Sequence, residues 1–350
     1  MDGLRGVAAL AVVALHLNVL LLNCLDLKYA HLSVDFFLLL SGFVISHSYD
    51  SKFAAGLGVV RFMSVRISRL YPMIIAGSML GSIVILARVI FYKDLAVAAA
   101  FVAILMNFCM VPTAQILSLR SWGFPLNSPF WSLSVEFVAN FAYSMAFRYL
   151  STAAVAAVAL VGVGTSVWVA SVHHTLDVGP SYAEFGLGVA RAVYPFSMGV
   201  LIRRVGSRLP APQFGLLPLA LVLAGALFLP VARDWRIELA LTIIVFPAII
   251  VMSRNAEADG ILAQVSRWLG KLSFPLYATH YPIIVIFAQG IRAMHLSGVL
   301  AQSLEVLCIA TVICIAVTLA KWVEEPAVAA LRQGMDRVFA VPRMDKAMPS

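Results

Sequence analysis

The chain has 350 residues, 62% of them hydrophobic and only 12% charged, with a net charge of +8. A soluble domain carries about 25% charged residues, so the composition excludes a soluble globular protein and leaves one polytopic all-α helix bundle in a lipid bilayer. In a chain this apolar, the basic excess marks loops on the cytoplasmic side rather than a nucleic-acid surface, and no nucleic-acid module is found.

The first apolar run opens on Asp2-Gly3-Leu4-Arg5-Gly6, and His16 follows eleven positions after Arg5. At about 100° per residue, eleven steps make roughly three turns plus 20°, so the two side chains share a helix face. At ~1.5 Å per residue His16 lies ~16 Å deeper than Arg5, near the middle of a ~30 Å hydrocarbon core. An ionisable ring at that depth is costly unless it lines a polar cavity, which makes it a site residue. The run is read as a resident helix, not a signal peptide, because no small-residue cleavage site follows it.

Apolar segments are predicted at 6–24, 32–49, 69–91, 95–112, 130–149, 151–172, 186–203, 214–231, 236–253, 273–293 and 298–323. With the N-terminus cytoplasmic, Lys52, Arg61, Arg66 and Arg69 fall inside. If every segment crosses, Arg203, Arg204 and Arg208, then Arg254, Arg267 and Lys271, and finally Arg332, Arg337, Arg343 and Lys346 all fall outside. These clusters return to the cytoplasm if one segment between about 95 and 186 does not cross, or if two of them form one crossing. The expectation is therefore about ten transmembrane helices with both termini cytoplasmic. Residues 1–330 form the membrane domain and 331–350 a polar cytoplasmic tail. Trp122, Trp168, Trp235 and Trp268 near segment ends suit an aromatic belt.

Chemistry-bearing residues recur along the segments. Asp35 precedes Phe36-Phe37 at the start of the second segment, where an interfacial cap is the plain alternative. Arg66 and Arg69 are three apart and share a helix face; positive-inside anchoring competes there with anion binding. Glu136 lies five residues beyond Trp131 inside an apolar segment, where an unpaired carboxylate is expensive. It either pairs with an arginine such as Arg5, orients His16 or binds acceptor hydroxyls. His280-Tyr281-Pro282 sits in a span where Pro282 favours a kink, and the two side chains either line a pocket or pack at the kink. Glu324-Glu325-Pro326 reads as a helix stop. Cys24, Cys109, Cys308 and Cys314 lack metal-ligand spacing, His173-His174 has no further ligands nearby, and no metal is expected. There is no phosphate-binding glycine loop, serine-nucleophile elbow or zinc-protease motif.

Taken in order, these blocks resemble the acyltransferase 3 family of integral membrane acyltransferases. The resemblance rests on Asp2-Gly3-Leu4-Arg5-Gly6 with His16, the run Val34-Asp35-Phe36-Phe37 through Ser41-Gly42-Phe43, and Arg66-Ile67-Ser68-Arg69-Leu70-Tyr71-Pro72. It continues in Phe130-Trp131-Ser132-Leu133-Ser134-Val135-Glu136, Ser273-Phe274-Pro275-Leu276-Tyr277 through Pro282, and Glu324-Glu325-Pro326. Phe274-Pro275 stands where the family often has a tyrosine. The family usually carries a short leader before its first motif, and this chain opens at Met1 directly on it, which leaves room for a start further upstream.

The resemblance implies an O-acyltransferase of a bacterial inner membrane. It would move an acyl group, often acetyl from acetyl-CoA, to a hydroxyl of a sugar or other acceptor. His16 would then be the general base, with a covalent acyl-histidine as the alternative, and Arg5 would stabilise negative charge near it. Arg66 and Arg69 would take the acyl-CoA phosphates as bidentate forks. Asp35, Trp131, Glu136, His280 and Tyr281 would line the substrate site. A transporter or flippase, using the same intramembrane charges as a solute or proton path, is the rival reading.

Overall fold

The computed structural model describes residues 1–114, 123–208, 214–256 and 259–338, and among these every regular element is helical. In chain order they are α1 (Asp2–Leu17), α2 (Ser33–Ala54), α3 (Val59–Ala87), α4 (Val97–Phe108), α5 (Phe130–Ala146) and α6 (Thr152–His173). Then follow α7 (Phe185–Val205), α8 (Leu216–Leu227), α9 (Trp235–Ala240), α10 (Phe246–Ser253), α11 (Gly260–Ala293), α12 (Gly298–Leu319) and α13 (Glu325–Val338). Single π-helical turns prolong α1 to Leu22 and α3 to Tyr92, join α9 to α10, and join α12 to α13. Trp122, Arg343 and Lys346 lie outside the described residues.

Eight helical stretches are long and apolar enough to span a bilayer, and the protein is an integral membrane helix bundle. The shorter α5 (17 residues) and α8 (12 residues) join the same bundle, α5 against α7 and α8 against α1. The equally short α4 packs beside α3, where Asn107 Nδ2 donates to Ser78 Oγ (2.8 Å) and Tyr71 O–H donates to the Phe108 carbonyl (3.2 Å). Beyond α4, Thr113 N–H donates to the Gly123 carbonyl, and Gly123 N–H to that of Pro180 in the α6–α7 connection. The segment expected at 95–112 is thus a helix of only 12 residues, shorter than the eight long apolar stretches.

Two helices begin well before their apolar segments. α3 starts at Val59 and α11 at Gly260, so Arg61, Arg66, Arg267 and Lys271 stand on helical extensions, not in loops. At the other end α13 continues past residue 330 to Val338. Helices in lipid gain little from burying apolar surface against each other, so close backbone packing and interhelical hydrogen bonds hold them. α1 shows this: Gly3, Gly6, Ala8, Ala9 and Ala11 are buried along its length, and α1 packs against α11. A Cβ on Gly6 would come within 2.5 Å of Leu269. α2 packs in the same way along α7, where Gly42 lies against the Phe196 backbone and Gly199 against that of Leu39, while Phe36 is set edge-on to Phe246 of α10 at 5.5 Å between ring centres.

Pro282 inside α11 frees a backbone acceptor that finds another donor. Pro282 has no N–H to give to the Ala278 carbonyl four residues back. Asn127 Nδ2, from the chain leading into α5, donates to that carbonyl at 2.7 Å. This replaces the missing backbone bond with a side chain, as an irregular helix inside a membrane requires.

Candidate active site

A cavity of about 730 Å³ opens at the end of the bundle that carries the start of α1, α3 and α11 and the end of α12. Arg5, Arg66, Arg69 and Glu136 all line it, so four of the residues singled out in the sequence converge there. The local reason is helical register. Arg66 and Arg69 fall on one face of the α3 extension, Glu136 is one and a half turns into α5, and the small-residue face of α1 turns Arg5 towards the same space.

Glu136 finds Arg66, not Arg5. Its Oε1 accepts from Arg66 Nη2 at 2.5 Å and from Ser41 Oγ at 2.8 Å. Arg66 is nearly buried, and its Nε has no hydrogen-bond partner. Arg69 is half-buried and makes no hydrogen bond or ion pair with any described residue, while Arg5 is held only loosely by Asp2 at 3.8 Å. The wall therefore presents guanidinium donors that the protein itself does not use. Such forks match phosphate oxygens in pairs.

The inner end of the cavity is aromatic. Phe37 and Tyr277 meet edge to face at 5.7 Å. Tyr277 O–H donates to the Pro129 carbonyl at 3.0 Å and lies 2.5 Å from Ser132 Oγ. One turn further along α11 comes His280, fully buried, with its ring centre 6.1 Å from that of Tyr277.

His16 joins this column from α1. His280 Nε2 lies 3.1 Å from His16 Nδ1, and Tyr281 sets its ring at right angles to that of His16 at 5.2 Å. His280 Nδ1 is 2.8 Å from the Leu276 carbonyl, and His16 Nδ1 is 3.0 Å from that of Val12. A carbonyl can only accept, so both Nδ1 atoms carry the hydrogen. With neutral rings, the single His16 Nδ1–H is shared between the Val12 carbonyl and His280 Nε2, and His16 Nε2 keeps a free lone pair. His16 and His280 stand beyond the cavity's aromatic end, and Arg5 stands some three turns of α1 away from His16. His16, His280 and Tyr281 form one group; Arg5, Arg66, Arg69 and Glu136 form another, with Tyr277 between them.

Asp35 and Trp131 belong elsewhere. Asp35 accepts both arms of Arg191, one through Arg191 Nε at 2.9 Å, and the pair is 1% exposed on each side. Trp131 lies 5.9 Å from the Arg191 guanidinium, in a slot that exists because Gly179 and Gly188 have no Cβ to fill it. The network continues towards the opposite end of the bundle through Glu238. This carboxylate is fully buried and accepts from Arg233 Nε (2.9 Å), Thr175 Oγ1 (3.0 Å) and Leu176 N–H (2.5 Å), with His31 Nε2 at 3.5 Å. Asp177 closes it against Arg233 at 3.1 Å. Desolvation opposes ionisation of Asp177, but His31, Arg191 and Arg233 together hold its carboxyl below the usual range. Arg233 is likewise held charged against desolvation by Glu238 and Asp177.

Several lining residues carry roles that sequence reading did not give them. Arg267 and Lys271 served only as topology markers, Glu324-Glu325 as a helix stop and Arg332 as tail, yet all line the cavity. The spacing of Arg267, Lys271 and Phe274 along one helix face was the available signal. Arg191, inside an apolar run, was the signal for the second network. Among the described residues no three or more His, Cys, Asp or Glu side chains gather as metal ligands.

The fold and this site define a polytopic membrane protein with a cation-walled cavity at one end. A family model described as an acyltransferase domain matches residues 1–323, and the chain belongs to the acyltransferase 3 family: it is a membrane acyltransferase. It is also similar to "Protein 2 in picA locus" of Rhizobium radiobacter, 31% identical over 154 residues that cover 41% of this chain and 79% of that protein. No solved structure matches the chain.

Proposed function

We propose that this enzyme takes an acyl group, acetyl first among them, from acyl-CoA at the cytoplasmic face of a bacterial inner membrane and delivers it to a hydroxyl of a sugar or glycan. The observation that carries the reading is Arg69: a half-buried guanidinium that makes no hydrogen bond or ion pair with any described residue, beside Arg66 and Arg5, in a cavity whose inner end lies one turn from His280. The phosphates of coenzyme A would lie against Arg66 and Arg69, and Arg5 adds positive charge at the same level. The thioester arm would reach inward past Phe37 and Tyr277, with Glu136 and Ser41 fixing Arg66 in place. Charge placement agrees, since this end of the bundle bears the basic residues that favour the cytoplasm. Both ends of the described chain then face the cytoplasm.

In the chemical step, His16 Nε2 takes the proton of the acceptor hydroxyl as its oxygen attacks the thioester carbonyl carbon. The tetrahedral intermediate collapses, the C–S bond breaks, and the coenzyme A sulfur leaves with the proton returned by His16. His280 acts through His16, by accepting its Nδ1–H and so keeping Nε2 unprotonated. Tyr281 flanks the same ring. Asp35 and Trp131, engaged with Arg191, hold α2, α5 and α7 together rather than touching substrate.

The test is transfer of label from [acetyl-14C]acetyl-CoA into cell-envelope glycans by membranes carrying the wild-type chain or His16→Ala. Transfer should depend on the protein and fall by about 10²–10⁴-fold in the variant, the usual contribution of a general base. Equal labelling with and without the protein, for acetyl and longer acyl-CoAs alike, would overturn the reading in favour of a transporter.

A further inference from the structure

The family match ends at residue 323, but the cavity wall does not. Glu325, Val328, Ala329 and Arg332 of α13 line it as well, at positions that repeat every three to four residues and so form one helix face. α13 is tied across the mouth to α11 by Lys271 Nζ and Glu325 Oε1 at 3.1 Å, and it packs against the start of α3. On α11, Arg267 stands one turn before Lys271, and on α13 Arg332 stands two turns after Glu325. The two arginines therefore flank this tie on the two helices that frame the opening.

The charges lining the cavity sort into two levels. Arg66 is paired with Glu136, Arg5 with Asp2 and Lys271 with Glu325. Arg69, Arg267 and Arg332 have no acidic partner within ion-pair distance among the described residues. Arg69 is the inner one. Arg267 and Arg332 are exposed and outermost, with Arg267 ten residues, ~15 Å of helix, before Tyr277 at the inner end.

A ligand whose reactive end points inward must present its groups to these levels in a fixed order. Coenzyme A carries two phosphate sites, a pyrophosphate joined to the pantetheine arm and a phosphomonoester on the ribose at the far end. With the thioester innermost, the pyrophosphate falls at Arg66 and Arg69 and the phosphomonoester at the mouth.

We infer that Arg267 and Arg332 form an outer phosphate subsite that reads the ribose 3′-phosphate of the donor, so that α13 is part of the donor site although it lies beyond the family domain. This rests on the acyl-CoA reading given above. It adds that the enzyme discriminates coenzyme A from its 3′-dephospho form, and that this discrimination resides in two residues outside the chemistry.

Equilibrium binding of CoA and of 3′-dephospho-CoA to the full chain in lipid nanodiscs tests it, with the wild type, Arg267→Gln and Arg332→Gln. The wild type should bind CoA at least about tenfold more tightly, the scale of one charge-assisted phosphate contact. Each variant should shrink that ratio to about threefold or less while leaving the Kd for 3′-dephospho-CoA within about twofold, since only the phosphomonoester contact is lost. Equal binding of the two ligands by the wild type overturns the subsite and leaves the donor reading standing. So does a variant that weakens both ligands alike, or one that leaves the ratio unchanged. A wild-type protein that binds neither ligand overturns both.

Discussion

The two clusters of charge at opposite ends of this bundle are built from the same residue types and do opposite things. Around Arg191 and Glu238 the buried groups are paired: Asp35 takes both arms of Arg191, and Glu238 is surrounded by Arg233, Thr175, Leu176 and His31. Around Arg66 the pairing is incomplete. Among the described residues Arg66 Nε has no hydrogen-bond partner, Arg69 makes no hydrogen bond or ion pair, and Arg5 sits 3.8 Å from Asp2. A buried charge is tolerated only when paired and hydrogen-bonded, so the saturated cluster is a joint between helices. The unsaturated one keeps its donors facing a cavity, which is what anion binding needs. Intramembrane charge alone does not mark a site; charge left without a partner does.

The largest effect that can break this comparison is at the joint. Arg191→Ala strands Asp35 without compensation and should cost about 3–5 kcal/mol of stability, read as a loss of folded protein in thermal unfolding in detergent. Replacing both partners, Arg191→Leu with Asp35→Leu, should recover most of that loss, because the stranded charge is gone. An Arg191→Ala protein as stable as wild type would remove the distinction between the clusters.

In the cavity the same kind of change should act on ligand instead. Arg69→Gln is expected to leave the unfolding midpoint unchanged and to raise the Kd for acetyl-CoA by about tenfold, the loss of one charge-assisted contact. A fall in stability without a change in binding would make Arg69 structural.

The smallest effect concerns acid. Asp177 is held below its ordinary value of 3.8 in the folded state, so its contribution is fully present above that value and disappears as the pH falls through the lower, folded one. The difference in unfolding midpoint between wild type and Asp177→Asn should therefore persist at about pH 6 and narrow towards about pH 3. Because the Asp177 side chain is 41% exposed, the difference should be small and weakened further by salt. A difference that grows on acidification would contradict the network as described.

What the sequence revealed and what it hid divide along the range of the interactions. The Arg5–His16 register is local, fixed by helical geometry over eleven residues, and α1 has that form. The Arg66–Arg69 pair is local too, and both residues meet at the cavity with Glu136. Pairings between distant segments carried no such signal: His16 meets His280 across 264 positions, and Asp35 meets Arg191 across 156. The outer wall was hidden for another reason. Arg61, Arg66, Arg267 and Lys271 interrupt the hydropathy at the starts of α3 and α11, so the apolar segments seemed to begin ten or more residues late. α4 is as apolar as the long helices, and only its length of 12 residues and the Asn107–Ser78 bond set it apart from them.

The most direct measurement of the central claim is an electron cryomicroscopy map of the full chain in nanodiscs with a non-hydrolysable acetyl-CoA analogue. The account predicts phosphate density within hydrogen-bond reach of Arg66 and Arg69, and the acyl end past Tyr277 towards His16 and His280. Density for the analogue at the Arg233–Asp177 end, or a cavity that stays empty at saturating analogue, would contradict it.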